Sequence, residues 1–338
     1  MIEKKVHIKN FKSIYDLDLE IGRVNLFIGE NGSGKSNLLE ALVFFSASES
    51  NMLANEFLVG RGLRVPEPQL MRSAFKKDDR DRDIEIAVDN RVYLFKNENN
   101  IYSQWKLWKV YIEEEGRDKL NNFIIYSPEN TSLRTFEKEG QIQPLGINGE
   151  GLLKLLKVVN SYDDKSYIRT IIEALQLFNW FKDITIPRDI SSLEDKIIIQ
   201  DRYLYREFTQ RSANEGFLFI LFYITLMVAK ETPQAFAIDN IDASLNPKLC
   251  TKLMSILIDL ATKYDKQIFL TTHNPAILDG ININNRDEKV FVVSRDEFGY
   301  TQLKILTEED NPIDEDGEKL HLSEAFLRGY LGGLPRGF

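Results

Sequence analysis

Apolar and polar positions along the chain follow two periods. The first 28 residues alternate as strands do, in Val6-His7-Ile8, Leu17-Asp18-Leu19 and Val24-Asn25-Leu26-Phe27-Ile28. A glycine-rich turn follows, and residues 36–45 then predict a strongly apolar helix. Residues 83–127 return to a strand-like pattern, with Ile84-Glu85-Ile86-Ala87-Val88, Val92-Tyr93-Leu94-Phe95 and Phe123-Ile124-Ile125-Tyr126. Helical patterns occupy 149–159 and 165–181, strands 196–205, and a long helix 216–229. The chain then predicts a strand at 235–238, a helix at 248–263, a strand at 267–271 and a pair of strands flanking Glu297-Phe298-Gly299.

Strand–helix alternation is concentrated at both ends of the chain. It implies an α/β sheet built from the two ends, with β-rich and helical material between them. The expected layout is a single head over 1–338, with a β-rich subdomain at 83–130 and a mostly helical insertion at 148–215. The second half of the core is expected at 216–338.

Composition narrows the class. An apolar content of 43% with 28% charged residues suits a globular protein and not a disordered one. Cys250 is the single cysteine, which excludes disulfide stapling and fits a reducing cytoplasm. No apolar run approaches the ~20 residues of a membrane-spanning helix. The N-terminus carries no recognisable signal peptide, so a cytoplasmic location is expected. The net charge of −9 does not indicate nucleic acid as the chief partner, although a local basic patch is compatible with it.

The turn after the third strand reads Gly29-Glu30-Asn31-Gly32-Ser33-Gly34-Lys35-Ser36, which fits G-x-x-x-x-G-K-[ST] at every fixed position. Glycines allow successive backbone N–H groups to face phosphate oxygens. Lys35 brings a positive charge, Ser36 offers a hydroxyl to Mg²⁺, and the helix that follows adds the positive end of its dipole. Asn37 continues the loop into that helix. The flanking apolar strand and helix are the context this chemistry needs.

Further along, Ala-Phe-Ala-Ile runs into Asp239, the position at which an aspartate completes a Mg²⁺ site. The bland alternative is an acid that opens a turn. Gln-Ile-Phe-Leu-Thr-Thr ends in His273. A histidine there faces the ligand crevice of a parallel sheet, where it can contact a γ-phosphate or orient a water.

Taken together, NFKSI, NLFIGENGSGKSN, FAIDNIDASLNP and FLTTHNPAIL, in this order, resemble the ABC-type ATPases of the OLD-like group, relatives of RecF and SMC heads. IIYSPENTSLR, LGINGEGLLKLL and RGYLGGLPRGF are similar to stand-alone members, among them ATPase subunits of anti-phage systems such as Gabija, Septu, PARIS and some retrons. The resemblance implies an ABC-type P-loop ATPase head using ATP and Mg²⁺. It also implies a head-to-head dimer in which a signature segment of one head faces the nucleotide of the other. Asn214, Glu215 and Gly216 match that segment best, with Ser212 in a shifted register as a substitute. A helix N-terminus has the free N–H groups for the task, and Asn214 also suits an ordinary cap.

One position departs from the pattern. Where the family carries a glutamate after the aspartate, this chain has Asn240. An amide can hold a water but cannot accept its proton. Slow hydrolysis, substitution by Asp242, and water orientation by His273 are three accounts of this difference. Slow hydrolysis is the one expected.

No heptad run lies between Ser36 and Asp239, which excludes a long coiled coil. The 65 residues after His273 are too few for a nuclease (Toprim) domain, so any toxic chemistry is expected from a separate effector protein. The expected role is the ATPase and scaffold of an anti-phage complex. The rivals are a RecF-type repair ATPase, a non-hydrolysing ATP-stabilised scaffold, and a transporter subunit.

Three surface features are given bland readings. The basic residues Arg61, Arg64, Arg72, Lys76, Lys77, Arg80 and Arg82, interleaved with acids, predict a mixed-charge surface loop, with a contact to nucleic acid or an acidic partner as the alternative. The acidic run 308–318 predicts a solvated loop. Tyr102, Trp105, Trp108, Tyr111 and Tyr126 are expected in the core, with a base-stacking platform as the alternative.

Overall fold

The computed structural model describes residues 4–76, 79, 81–100, 103–112, 120–135, 145–187, 196–313 and 319–334. Its elements, in chain order, begin with β1 (Lys5–Phe11), β2 (Ile14–Glu20), β3 (Val24–Gly29), α1 (Lys35–Glu49), α2 (Asn55–Gly60) and α3 (Pro68–Met71). Next come β4 (Ile84–Val88), β5 (Arg91–Lys96), β6 (Lys106–Ile112), β7 (Ile125–Tyr126), α4 (Asn130–Thr135), α5 (Leu152–Ser161) and α6 (Ser166–Leu175). β8 (Phe181–Thr185), β9 (Ile198–Asp201), β10 (Phe208–Thr209), α7 (Glu215–Val228), β11 (Ala235–Ile238) and α8 (Pro247–Lys263) follow. β12 (Gln267–Thr272), β13 (Glu288–Arg295), β14 (Thr301–Ile305) and α9 (Leu322–Leu327) complete the set.

The chain divides into two compact units, one of residues 1–125, 233–241 and 267–338, the other of residues 126–232 and 242–266. The first unit is built on two sheets. One has the order β14-β13-β3-β12-β11-β7. β3 lies parallel to both β12 and β13, with Leu26 opposite Leu270 and Val290. All six residues of β3 are buried, as expected of a strand covered on both faces. β11 runs parallel to β12, with Ile238 opposite Leu270. β3, β11 and β12 therefore end on the same edge, where a parallel sheet places its ligands.

The second sheet is antiparallel, in the order β2-β1-β4-β5-β6. β4 pairs onto β1 through Val6–Val88 and Ile8–Ile86. Of the stretch expected to be β-rich at 83–130, β4, β5 and β6 thus share a sheet with the N-terminal hairpin, whereas β7 joins the first sheet. α1 is buried from Leu38 to Ser48 and shares one core with residues of both sheets. Phe44 packs 4.5 Å from Phe95 with its ring tilted and meets Trp105 edge-on at 5.4 Å, and Phe45 stacks 4.5 Å from Tyr93.

In the second unit, α7 is buried from Gly216 to Val228. Phe217 is packed among Phe178, Trp180 and Phe181 at 5.2–5.5 Å. That cluster explains a difference from the sequence expectation. The helix predicted over 165–181 stops at Leu175, and the chain turns at Phe178 (Phe181 N–H to its carbonyl, 3.0 Å) so that Phe181 opens β8. β8, β9 and β10 form a small sheet of their own within the stretch expected to be mostly helical.

Two surface expectations also change. Arg61 and Arg72 are buried, not part of an exposed loop. Arg72 stacks 4.8 Å over Trp105 and donates to the carbonyls of Arg82 and Asn97 at 2.7 and 2.9 Å, so it is an anchor of the fold. Trp105 and Tyr126 are buried as expected, whereas Trp108 and Tyr111 are half-exposed because β6 is an edge strand. Tyr102, Lys77, Arg80 and residues 314–318 of the acidic run lie outside the described residues.

Candidate functional site

The loop between β3 and α1 is shaped by its glycines and braced from distant parts of the same unit. Gly34 has φ of 112°, and a side chain there would overlap the Thr301 hydroxyl. Thr301 Oγ1 donates to the Ser33 carbonyl at 2.9 Å and shares a 2.6 Å hydrogen bond with Ser13 Oγ. Asn37 Nδ2 donates to Ser13 Oγ at 2.7 Å, and Arg295 Nε donates to the Gly32 carbonyl at 2.7 Å. Asn31 and Gly32 are exposed at the loop's crest, and Glu30 accepts the Ser33 N–H at 3.3 Å.

Lys35 is buried, and its ammonium donates to the carbonyls of Gly29 and Glu30, both at 2.9 Å. It also lies 3.5 Å from His273 Nδ1. An ammonium has only donors, so Nδ1 can serve only as the acceptor in a hydrogen bond between them, and such a bond would place the ring proton on Nε2. Ser36 Oγ donates to Asp239 at 3.1 Å. Thr271 Oγ1 also donates to Asp239 and accepts the Asn240 N–H at 2.9 Å. Asn240 has φ of 55°, a left-handed conformation that asparagine tolerates better than most residues. Its position at the exposed end of β11 is the one the sequence assigns it.

Lys35, Ser36, Asp239, Asn240 and His273 are therefore brought together from the ends of β3, β11 and β12. Beside them, the buried Glu40 on α1 accepts from Lys12 Nζ at 2.5 Å and Arg64 Nε at 2.6 Å, and Arg64 reaches Asn37 Oδ1 at 3.2 Å. Burial lowers the Lys12 pKa against the opposing pull of Glu40, whereas the hydrogen bond to Glu40 raises that of Arg64.

The donor chemistry fits a phosphate and a hard cation. Ser33 Oγ is buried without a partner in the loop. The Ser36 hydroxyl and Asp239 carboxylate are oxygen donors of the kind Mg²⁺ prefers, and Mg²⁺ commonly completes its shell with water and substrate phosphate. Ser13, Thr271, Arg295 and Thr301 were not among the sequence candidates, although Ser13 lies within NFKSI and Thr271 within FLTTHNPAIL. A paired threonine ending the apolar β12 is the one local hint, at Thr271.

Asn214, Glu215 and Gly216 belong to the second unit. Asn214 Oδ1 accepts the Phe217 N–H at 2.8 Å and so caps α7. Arg134 on α4 donates through Nη1 to the carbonyls of Gln210, Arg211 and Ala213 at 3.3, 2.7 and 2.9 Å. The backbone leading into Asn214 is held by that one guanidinium.

Comparison with known proteins agrees with this geometry. The DNA replication and repair protein RecF of Porphyromonas gingivalis is 35% identical over 92 residues, covering 27% of this chain and 24% of RecF. RecF of Listeria monocytogenes is 28% identical over 173 residues, covering 47% and 43%. The chain thus spans less than half the length of these relatives. The SMC head solved bound to the C-terminal winged-helix domain of ScpA superposes with a TM-score of 0.62 at 15% identity, covering 91% of this chain and 99% of that one, which shows a shared head fold. Residues 24–279 match the family described as an AAA domain, putative AbiEii toxin, type IV toxin–antitoxin system. With its phosphate loop, acidic strand end and head fold, the chain belongs to this AAA family, is similar to RecF over part of its length and shares the fold of SMC heads.

Proposed function

We propose that the chain binds ATP with Mg²⁺, hydrolyses it slowly, and uses it to join two heads. The observation that carries the reading is the convergence of Lys35, Ser36, Asp239 and His273 on one edge of the parallel sheet. In the proposed complex the Lys35 ammonium exchanges its loop carbonyls for phosphate oxygens. Ser36 and Asp239 hold Mg²⁺, which neutralises charge on the phosphates. His273 Nε2–H donates to the γ-phosphate. Asn240 holds the attacking water without accepting its proton, which passes to a γ-phosphate oxygen instead, and the lack of a side-chain base keeps turnover slow. Asn214, Glu215 and Gly216 offer the N-terminus of α7 to the nucleotide of a second copy.

In the cell this reading makes the chain the cytoplasmic ATPase and scaffold of an anti-phage, abortive-infection complex. It would restrain a separate effector, such as a nuclease or Toprim-like toxin. The RecF relatives favour a second reading, a DNA-repair ATPase, for which DNA should stimulate turnover. ATP turnover with Mg²⁺ by the purified chain, with Lys35→Ala as the blank, tests the enzyme. Light scattering with and without ATP tests the dimer. Turnover no higher than the blank, with no change of mass in ATP, would sink the proposal.

A further inference from the structure

The edge of the antiparallel sheet carries a surface that the ATP site does not use. Along β6, Leu107 pairs with Phe95 and Lys109 with Leu94, so Trp108 is the extra residue of a β-bulge. Phe95 is buried, whereas Leu94 pairs with Glu85 on the solvent side. A bulge re-aims side chains, and this one brings Trp108 and Lys109 to the same face as Tyr111. The contacts agree. Trp108 Nε1 donates to Asp83 at 3.0 Å, and the Lys109 ammonium lies 5.5 Å from the Trp108 ring and 5.4 Å from that of Tyr111. Lys96 flanks Trp108 from β5, at 5.8 Å. Trp108 and Tyr111 are 50% and 48% exposed.

Next to Trp108 is an open recess of about 420 Å³, lined by Lys96, Lys106 and the polar side chains of Asn97, Ser103 and Gln104, with one carboxylate, Glu98. The far side of the same sheet face is acidic. One row across it reads Asp16, Lys9, Glu85, Leu94, Lys109, so positive charge gathers at β6 in a chain of net charge −9.

We propose that this edge docks single-stranded nucleic acid. Trp108 and Tyr111 stack on unpaired bases, Lys96, Lys106 and Lys109 meet the phosphates, and the exposed Gln104 amide reaches base edges. Rings interleaved with ammonium groups suit an anionic polymer of planar units. A duplex keeps its bases stacked inside and cannot use the rings. Strand addition by a protein is opposed by lysines and a bulge on the edge. The inference is independent of the ATPase reading, because binding is measured without nucleotide.

The test is fluorescence anisotropy of a labelled oligothymidylate of about 15 nucleotides titrated with the full chain at low salt. Expected are binding that weakens with salt, quenching of tryptophan emission, and a loss of affinity of about ten-fold or more in both Trp108→Ala and Lys109→Glu. Trp108→Phe, which keeps a ring, should retain most of the affinity. Lys109 is exposed, so its variant is expected to fold even if Trp108→Ala does not. Absence of binding by the wild type would overturn the proposal. So would unchanged affinity in Lys109→Glu, equal affinity for a blunt duplex, or equally effective displacement by polyglutamate.

Discussion

Thr271 holds Asp239 in place from the neighbouring strand, donating its hydroxyl to the carboxylate while accepting the Asn240 N–H at 2.9 Å. One hydroxyl thus fixes both the proposed Mg²⁺ ligand and the residue after it. Thr271→Val keeps the shape and removes the hydroxyl, leaving a backbone donor unmet at a cost of about 1–3 kcal/mol. The melting temperature should fall by a few degrees. The Mg²⁺ concentration needed for half-maximal binding of a fluorescent ATP analogue should rise several-fold. Unchanged Mg²⁺ dependence would remove Thr271 from the site.

Asn240 combines two properties, a left-handed backbone and a side chain that cannot take a proton. If a missing base limits turnover, Asn240→Glu should accelerate hydrolysis by ten-fold or more, since general-base catalysis contributes about 10²–10⁴ where it is fully realised. Glutamate at φ of 55° costs about 1–2 kcal/mol, so the melting temperature is measured alongside. A folded variant no faster than wild type would count against a missing base.

The loop residues were legible in the sequence because their chemistry is local: eight consecutive residues fix the glycines, Lys35 and Ser36. Asp239 and His273 were legible as polar ends of apolar strands. The braces were not. Thr301 and Ser33 are 268 positions apart, and only the antiparallel return of β14 brings them together. Trp105 and Trp108 show the same limit. Three residues apart in one aromatic stretch, one is buried under Arg72 and the other half-exposed, a difference set by an edge strand and a bulge. Arg72 looked like part of a charged loop because no local pattern reveals that a guanidinium satisfies buried carbonyls.

Arg134 grips three carbonyls just ahead of Asn214, so it is a positioning residue for the N-terminus of α7. Arg134→Gln should cost about 2 kcal/mol of stability by leaving these acceptors unmet. Because Lys35 and its loop belong to the other unit, binding of an ATP analogue to the monomer should survive. ATP-dependent dimerisation, read by light scattering, should weaken, and Arg134→Lys should restore part of it. If the wild type dimerises with ATP and Arg134→Gln does so equally well, the carbonyl clamp has no part in joining the heads.

Cys250 on α8 gives a chemical readout of the second unit. Burial pushes its thiol up to about 11, with the charge of Asp242 adding to the shift. The neutral thiol is therefore favoured by the fold. Its contribution to stability is full below the ordinary value of 9.0 and is lost as the pH rises from there through 11. At pH 8 the thiolate fraction in the folded protein is roughly a hundred-fold smaller than in the unfolded chain, and the thiolate is the reactive species. A disulfide reagent such as Ellman's should modify native protein at least a hundred-fold more slowly than protein in guanidinium chloride at that pH. The native rate should climb steeply between pH 9 and 11. Similar rates in the two states would mean that the interior of α8 opens readily, and that the packing beneath Cys250 is not the barrier described here.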